Sequence, residues 1–447
     1  MKVLLDAYFD NNFGDDLFLD LLLKRYPEWQ FYVFWKKKHP NVLDRATKIK
    51  NLVIMPDNCI LQCNWPFDAY IMIGGDVLPD GVDYNQRISW MKYVKQNGGF
   101  VAMLGFSLYE KYGSQTIADI KIMSEYADSI VARDRSSAER FRAMVIGARV
   151  IESADMAFTA AYTPNKNSGK AILGLSPRRK LYSQQKEYDT YCDLMALIAD
   201  GYLTDHSEGE VYFFAFSTGE YDDRVVAENI IERMNIPHRT KIVSYTGNTF
   251  AFIQELSRCD CFVTTRFHSL VFALIFGIPF VPVIYEVKIT QLLNEINYEG
   301  KRILYGVTED FYNLKSILYD LNAVRYDRSA LNIYQKKAEL FFSDVDNWIK
   351  KREVTCINTE KDLPYSCILE TENENLKTEN EFLKRQVMEY EKWVEALKQE
   401  RNLFEKQNLE LEEIRQKQWE HLQQVTEDYT KLDELYQTLL EIIKIKN

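Results

Sequence analysis

Two doubly wound, Rossmann-like α/β domains facing across a cleft, followed by a long C-terminal α-helical coiled coil, are what this 447-residue sequence predicts. Three observations lead there. Short apolar runs rich in Val, Ile, Phe and Tyr alternate with helical patterns from residue 2 to about residue 310. Most of these runs are continuously apolar, as a parallel sheet covered on both faces requires. From about Leu369 onward Gly and Pro are absent, and apolar residues return every seventh position.

In chain order, the first domain (1–160) reads as strand Lys2–Tyr8, helix Asp16–Tyr26 and strands Phe31–Trp35, Leu52–Met55 and Tyr70–Ile73. Helix Gln86–Lys95, strand Phe100–Leu104, helix Ile117–Tyr126, strand Ser129–Ala132 and helix Ser136–Met144 follow. The polar, turn-rich stretch Tyr162–Gly169 has no period and reads as a linker. Alternation restarts in the second domain (170–350) with strand Ala171–Leu175, helix Lys186–Ile198, strand Val211–Phe216 and helix Arg224–Met234. Strand Ile242–Ser244, helix Phe250–Leu256, strand Cys261–Thr264, helix Leu270–Phe276 and strand Phe280–Ile284 complete it, and one long helix over about 328–350 closes it. Ligands of such folds bind outside the carboxyl ends of the strands, here in the cleft between the domains.

The third part (366–447) keeps one unbroken heptad seam from Leu369 through Leu376, Leu383 and Tyr390 to Leu439. Asn373, Asn380 and Asn408 in the companion seam favour a two-stranded, parallel pairing, so a homodimer is expected. Gln418, Arg401 and Arg415 weaken its middle.

Composition narrows the function. The net charge is −11, of which the segment from residue 366 carries −7, so neither part suits a polyanion and nucleic acid is excluded as a partner. No apolar run reaches the ~18 residues of a transmembrane helix, and Asp6 interrupts the amino terminus too early for a signal peptide, which points to a cytoplasmic protein. The seven cysteines show no zinc-ligand spacing, and no metal is expected.

The most informative motif is Thr264-Thr265-Arg266-Phe267-His268-Ser269, followed by an apolar helix, Gly277-Ile278-Pro279 and Tyr285-Glu286-Val287-Lys288. Arg266 and His268 stand where a strand emerges from the sheet, Ser269 is placed to cap the next helix, and Lys288 follows the neighbouring strand on the same edge. A helix amino end with a guanidinium, an imidazole and an ammonium suits a small, doubly anionic ligand. Arg178, just beyond the first strand of the second domain, adds a group suited to carboxylate or phosphate. The opposing wall comes from Asn12-Phe13-Gly14-Asp15-Asp16. There Gly14 permits a tight turn, one of Asp15 and Asp16 caps the helix, and the other faces the cleft as a base or a hydroxyl-binder. Gly74-Gly75-Asp76 lets a ligand approach the backbone, and Arg133 ends another strand beside Asp134.

Together these segments, with Asp155-Met156-Ala157 and Ser176-Pro177-Arg178, resemble the polysaccharide pyruvyl transferase family over residues 1 to about 350. The resemblance implies a fold similar to GT-B glycosyltransferases and an interdomain site. It implies phosphoenolpyruvate as co-substrate, with no other cofactor, and a glycan acceptor on whose hydroxyls the pyruvyl group becomes a ketal. Arg266, Arg178 and Lys288 would hold the donor, His268 would protonate its methylene carbon, and Asp15 or Asp16 would take the hydroxyl proton. Asp76 stands where the family often has a third Gly, and Asp16 where it often has Glu. Two other functions fit the same architecture: a nucleotide-sugar glycosyltransferase with Glu286 on the ribose, or a non-enzymatic coiled-coil scaffold with a metabolite-binding body.

Overall fold

The computed structural model describes residues 1–8, 12–34, 49–55, 66–165, 169–180, 183–218 and 222–360, with scattered positions between 398 and 432. Residues 1–362 form one compact unit, and residues 363–447 a second.

The first unit holds two parallel sheets. Strands β1 (Lys2–Ala7), β2 (Gln30–Phe34), β3 (Leu52–Met55), β4 (Ala69–Ile73), β5 (Phe100–Phe106), β6 (Ser129–Ala132) and β7 (Ile151–Glu152) build the first. Their spatial order is β3-β2-β1-β4-β5-β6-β7. The second contains β8 (Ile172–Leu175), β9 (Glu210–Ala215), β10 (Thr240–Ser244), β11 (Cys261–Thr264), β12 (Phe280–Ile284) and β13 (Ile303–Leu304), in the order β10-β9-β8-β11-β12-β13. Each order reverses direction beside its first strand, the signature of a doubly wound sheet. β4, β5 and β6 are buried at every residue, which accounts for their unbroken apolar sequence.

Three expectations need correction. The first helix starts at Phe13, with Asn12 as its cap accepting from the Gly14 N–H, so neither Asp15 nor Asp16 caps it. The edge strands β7 and β13 are additional; two residues are too few to carry a period. The single closing helix is in fact two, Arg328–Ala338 and Ser343–Glu360. Phe341 and Phe342 between them, and Val345 in the second, are buried in the core of the first sheet, where Trp29 and Phe31 lie. The chain therefore crosses back onto the first domain, and Asp346 seals the crossing by accepting from Tyr26 Oη at 2.7 Å and Arg25 Nη2 at 2.5 Å.

Phe13, at the start of the helix that follows β1, fastens the two domains. It is fully buried among Phe216, Tyr245, Phe252 and Phe272 of the second domain, and its N–H donates to the Phe216 carbonyl at 2.9 Å. The heptad seam lies almost wholly outside the described residues; those described there, such as Arg415–Gln418, Val425 and Leu432, are helical and exposed. Among the described residues, no helix is long and apolar enough to cross a membrane, and no group of three or more His, Cys, Asp and Glu is placed to hold a metal ion.

Candidate active site

Residues that follow the carboxyl ends of strands in both sheets line one cavity of about 380 Å³, within the range of small-molecule sites. Asp76 comes after β4, Ser107 and Tyr109 after β5, Arg178 after β8, and Glu286 and Lys288 after β12. The helix Val287–Glu295 opens into it with no side-chain cap at Glu286, so its first N–H groups remain available to an anion.

Lys288 is the central cation. Its Nζ lies 2.6 Å from Glu286 and 3.8 Å from Asp76. Burial lowers the ammonium's proton affinity, but the Asp76 and Glu286 carboxylates outweigh it and hold the pKa above the ordinary lysine value. Lys288 in turn holds Asp76 below the usual carboxylate range. Arg178 stands 4.0 Å from Glu286 and over the Tyr285 ring. Two cations thus face two carboxylates.

Arg266 and Ser269 do other work than expected. The Arg266 guanidinium grips Asp223 through Nε at 2.9 Å and Nη2 at 2.5 Å, and Asp223 also accepts from the N–H groups of Phe216 and Ser217 at 3.0 Å. Arg266 is itself the cap residue of the helix Phe267–Phe276, without a side-chain cap bond. Ser269 lies inside that helix, fully buried, donating to the Arg266 carbonyl and paired with the Ser176 hydroxyl at 2.6 Å. Ser176 accepts from the N–H groups of Thr265 and Arg266, which ties the ends of β8 and β11 together. Neither Arg266 nor Ser269 lines the cavity.

His268 does not line it either. Its ring packs edge-on to Phe13 and Phe18, and a Cβ on Gly14 would come within 2.3 Å of its Cε1, so only glycine fits there. Its Nε2 is buried without a hydrogen-bond partner among the described residues and lies 3.8 Å from Asp155 Oδ2, likewise unpartnered. Burial pushes the imidazole pKa down to about 4; Asp155 opposes the fall, and Arg133, Lys288 and Arg266 add to it. Arg133 connects the two regions: its guanidinium donates to Ser107, lies 3.6 Å from Asp155, and stacks over the Phe267 ring. Lys288 approaches the same ring at 5.8 Å. A Cβ on Gly75 would meet Arg133 Nη1 at 2.5 Å, and Gly74 turns the chain with φ +146°.

Of the two acidic candidates, Asp16 is buried and accepts from the Tyr245 hydroxyl at 2.7 Å, bridging the domains. Asp15 is half-buried and accepts from Asn12 Nδ2 at 2.8 Å. Asp155 and Asp223 were missing from the candidates. Asp155 had a signal, its place in the Asp-Met-Ala motif, whereas Asp223 sits in an ordinary acidic helix start.

Residues 4–287 match the model of the family described as polysaccharide pyruvyl transferase, well over half of the chain. The chain belongs to the polysaccharide pyruvyl transferase family. No curated protein matches it. Among solved structures it is similar to the UDP-GlcNAc 2-epimerase of Neisseria meningitidis bound to UDP-GlcNAc, at 11% identity and TM-score 0.51, over 78% of this chain and 100% of that one. It is likewise similar to the S. aureus MnaA–UDP co-structure, at 10% identity and TM-score 0.51, over 78% of this chain and 97% of that one. At these identities the likeness is one of fold, the two-domain GT-B arrangement. The family membership makes this chain a polysaccharide-modifying transferase.

Proposed function

We propose that this chain is a cytoplasmic enzyme that moves the pyruvyl group of phosphoenolpyruvate onto two hydroxyls of a polysaccharide sugar, releasing phosphate. The observation that carries the reading is the placement of Lys288 and Arg178 beside an uncapped helix amino end in the cavity between the sheets. That arrangement supports a compact ligand bearing both phosphate and carboxylate.

In this reaction the methylene carbon takes up a proton and becomes a methyl group, leaving its neighbour electrophilic. One sugar oxygen bonds to that neighbour, the bond to the phosphate oxygen breaks with its electron pair on phosphate, and a second sugar oxygen closes the ketal. Of the two hydroxyl protons, one balances the proton gained at carbon and the other departs with phosphate. By the family resemblance His268 would supply the first proton and Asp15 would accept one from the sugar; neither side chain lines the cavity, so the ligands must extend beyond it to reach them. Asp16, turned to Tyr245, is the weaker base candidate. Burial, with the charges of Arg133, Lys288 and Arg266, keeps His268 neutral. A bound donor would offset the charge of Lys288, which raises the imidazole's proton affinity when a proton is needed.

The test is phosphate release by the purified full chain from phosphoenolpyruvate across a panel of oligosaccharides. Acceptor-dependent release is expected, abolished in Lys288→Met and reduced roughly 10²–10⁴-fold in His268→Ala. Release of UDP from UDP-sugars instead would favour a glycosyltransferase, the reading in which Glu286 on the cavity wall holds the ribose. Silence in both assays would leave a scaffold. The heptads of residues 366–447 are proposed to pair two copies in parallel.

A further inference from the structure

We infer that Tyr109 is the platform on which the acceptor sugar lies, its ring face stacked on the aromatic face at the rim of the cavity. The inference rests on the proposed transfer to a saccharide and names the residue that would select it. Tyr109 belongs to the segment after β5 that lines the cavity together with Lys288 and Arg178. Its side chain is large and flat, yet 47% of the residue is exposed. An exposed aromatic is unremarkable on a loose loop, but this one is fixed at every residue.

The Ser107 N–H donates to the Gly75 carbonyl at 2.7 Å, and the Ser107 hydroxyl takes the Arg133 guanidinium. The Leu108 N–H donates to Ser137 Oγ at 2.9 Å, and the Leu108 carbonyl accepts from Arg140 at 2.7 Å. The Tyr109 N–H donates to the Tyr112 hydroxyl at 3.0 Å, which itself donates to the Leu78 carbonyl at 2.9 Å. The backbone is therefore held, and the ring, tilted 36° to the Tyr112 ring at 5.8 Å, belongs to a residue that stays about half exposed, so a ligand meets it at little ordering cost. A pyranose has an apolar C–H face and a polar hydroxyl edge, which matches a tyrosine face flanked by the carboxylates of Glu110 and Asp76 on the same wall.

The experiment is saturation-transfer NMR on the full chain without donor, using the methyl glycosides of galactose, mannose, glucose and N-acetylglucosamine at millimolar concentration. At least one glycoside should be saturated by the unaltered protein and by Tyr109→Phe, and bind about tenfold more weakly or worse to Tyr109→Ala. The thermal midpoint should be unchanged in both variants. The inference is overturned if no glycoside is saturated, if Tyr109→Ala binds like the unaltered chain, or if its midpoint falls with its binding. Sugar contact through Tyr109 with no phosphate release from phosphoenolpyruvate would sink the pyruvyl reading and leave the platform standing. Phosphate release with an unchanged acceptor KM in Tyr109→Ala would do the reverse.

Discussion

His268 illustrates how much a single side chain's surroundings change its chemistry. The motif suggested a cation beside other cations; the structure shows an imidazole packed on Gly14, Phe13 and Phe18, with its pKa pushed down to about 4. The ordinary histidine value is about 6.5, so between these two values the unfolded chain binds a proton that the folded chain refuses. Stability contributed by the neutral, buried ring is complete above about pH 6.5 and is lost as pH falls toward 4, by up to about 3 kcal/mol. Urea unfolding followed from pH 7.5 to 4.5 should show that acid-side loss in the unaltered chain and a smaller one in His268→Asn. Equal slopes would mean that the ring is not held neutral.

The end of β11 and the start of the next helix form an element whose role differs from its appearance in sequence. Arg266 looked like a ligand-binding group because it follows a strand, and strand ends carry function. Its charge is instead spent on Asp223, which lies forty-three positions earlier and also binds two backbone N–H groups beyond β9. Local pattern could not reveal that pairing, since neither residue breaks an apolar period. Removing Asp223 leaves a buried guanidinium uncompensated. Asp223→Ala should cost roughly 3–5 kcal/mol in chemical denaturation. A loss under 1 kcal/mol would show that Arg266 is free to turn to a ligand. The break between the helices Arg328–Ala338 and Ser343–Glu360 was hidden for a related reason: no Gly or Pro marks it, and only the burial of Phe341 and Phe342 against the first domain explains it.

Across the first compact unit, besides polar bridges such as Asp16–Tyr245, two aromatic contacts join the domains: Phe13 entering the second and the final helix returning to the first. Both contacts bury aromatic rings, so the body should unfold as one unit and remain folded without the heptad segment. A chain ending at residue 362, where the first compact unit ends, should keep its thermal midpoint and, on the proposed pairing, change from dimer to monomer in light scattering. An unchanged mass per particle would remove the coiled-coil dimer from the proposal.

The order of strands and helices, the two parallel sheets and the edge that carries the cavity were legible in sequence. Each depends on local apolar period and on the rule that parallel strands share an active edge. Which charged groups reach the cavity was decided by tertiary structure alone. Lys288 and Arg178 face it, while Arg266, Ser269 and Asp16 are taken up by Asp223, Ser176 and Tyr245. A buried polar group must find a partner wherever the fold brings one, and that partner lies too far along the chain for any local pattern to name.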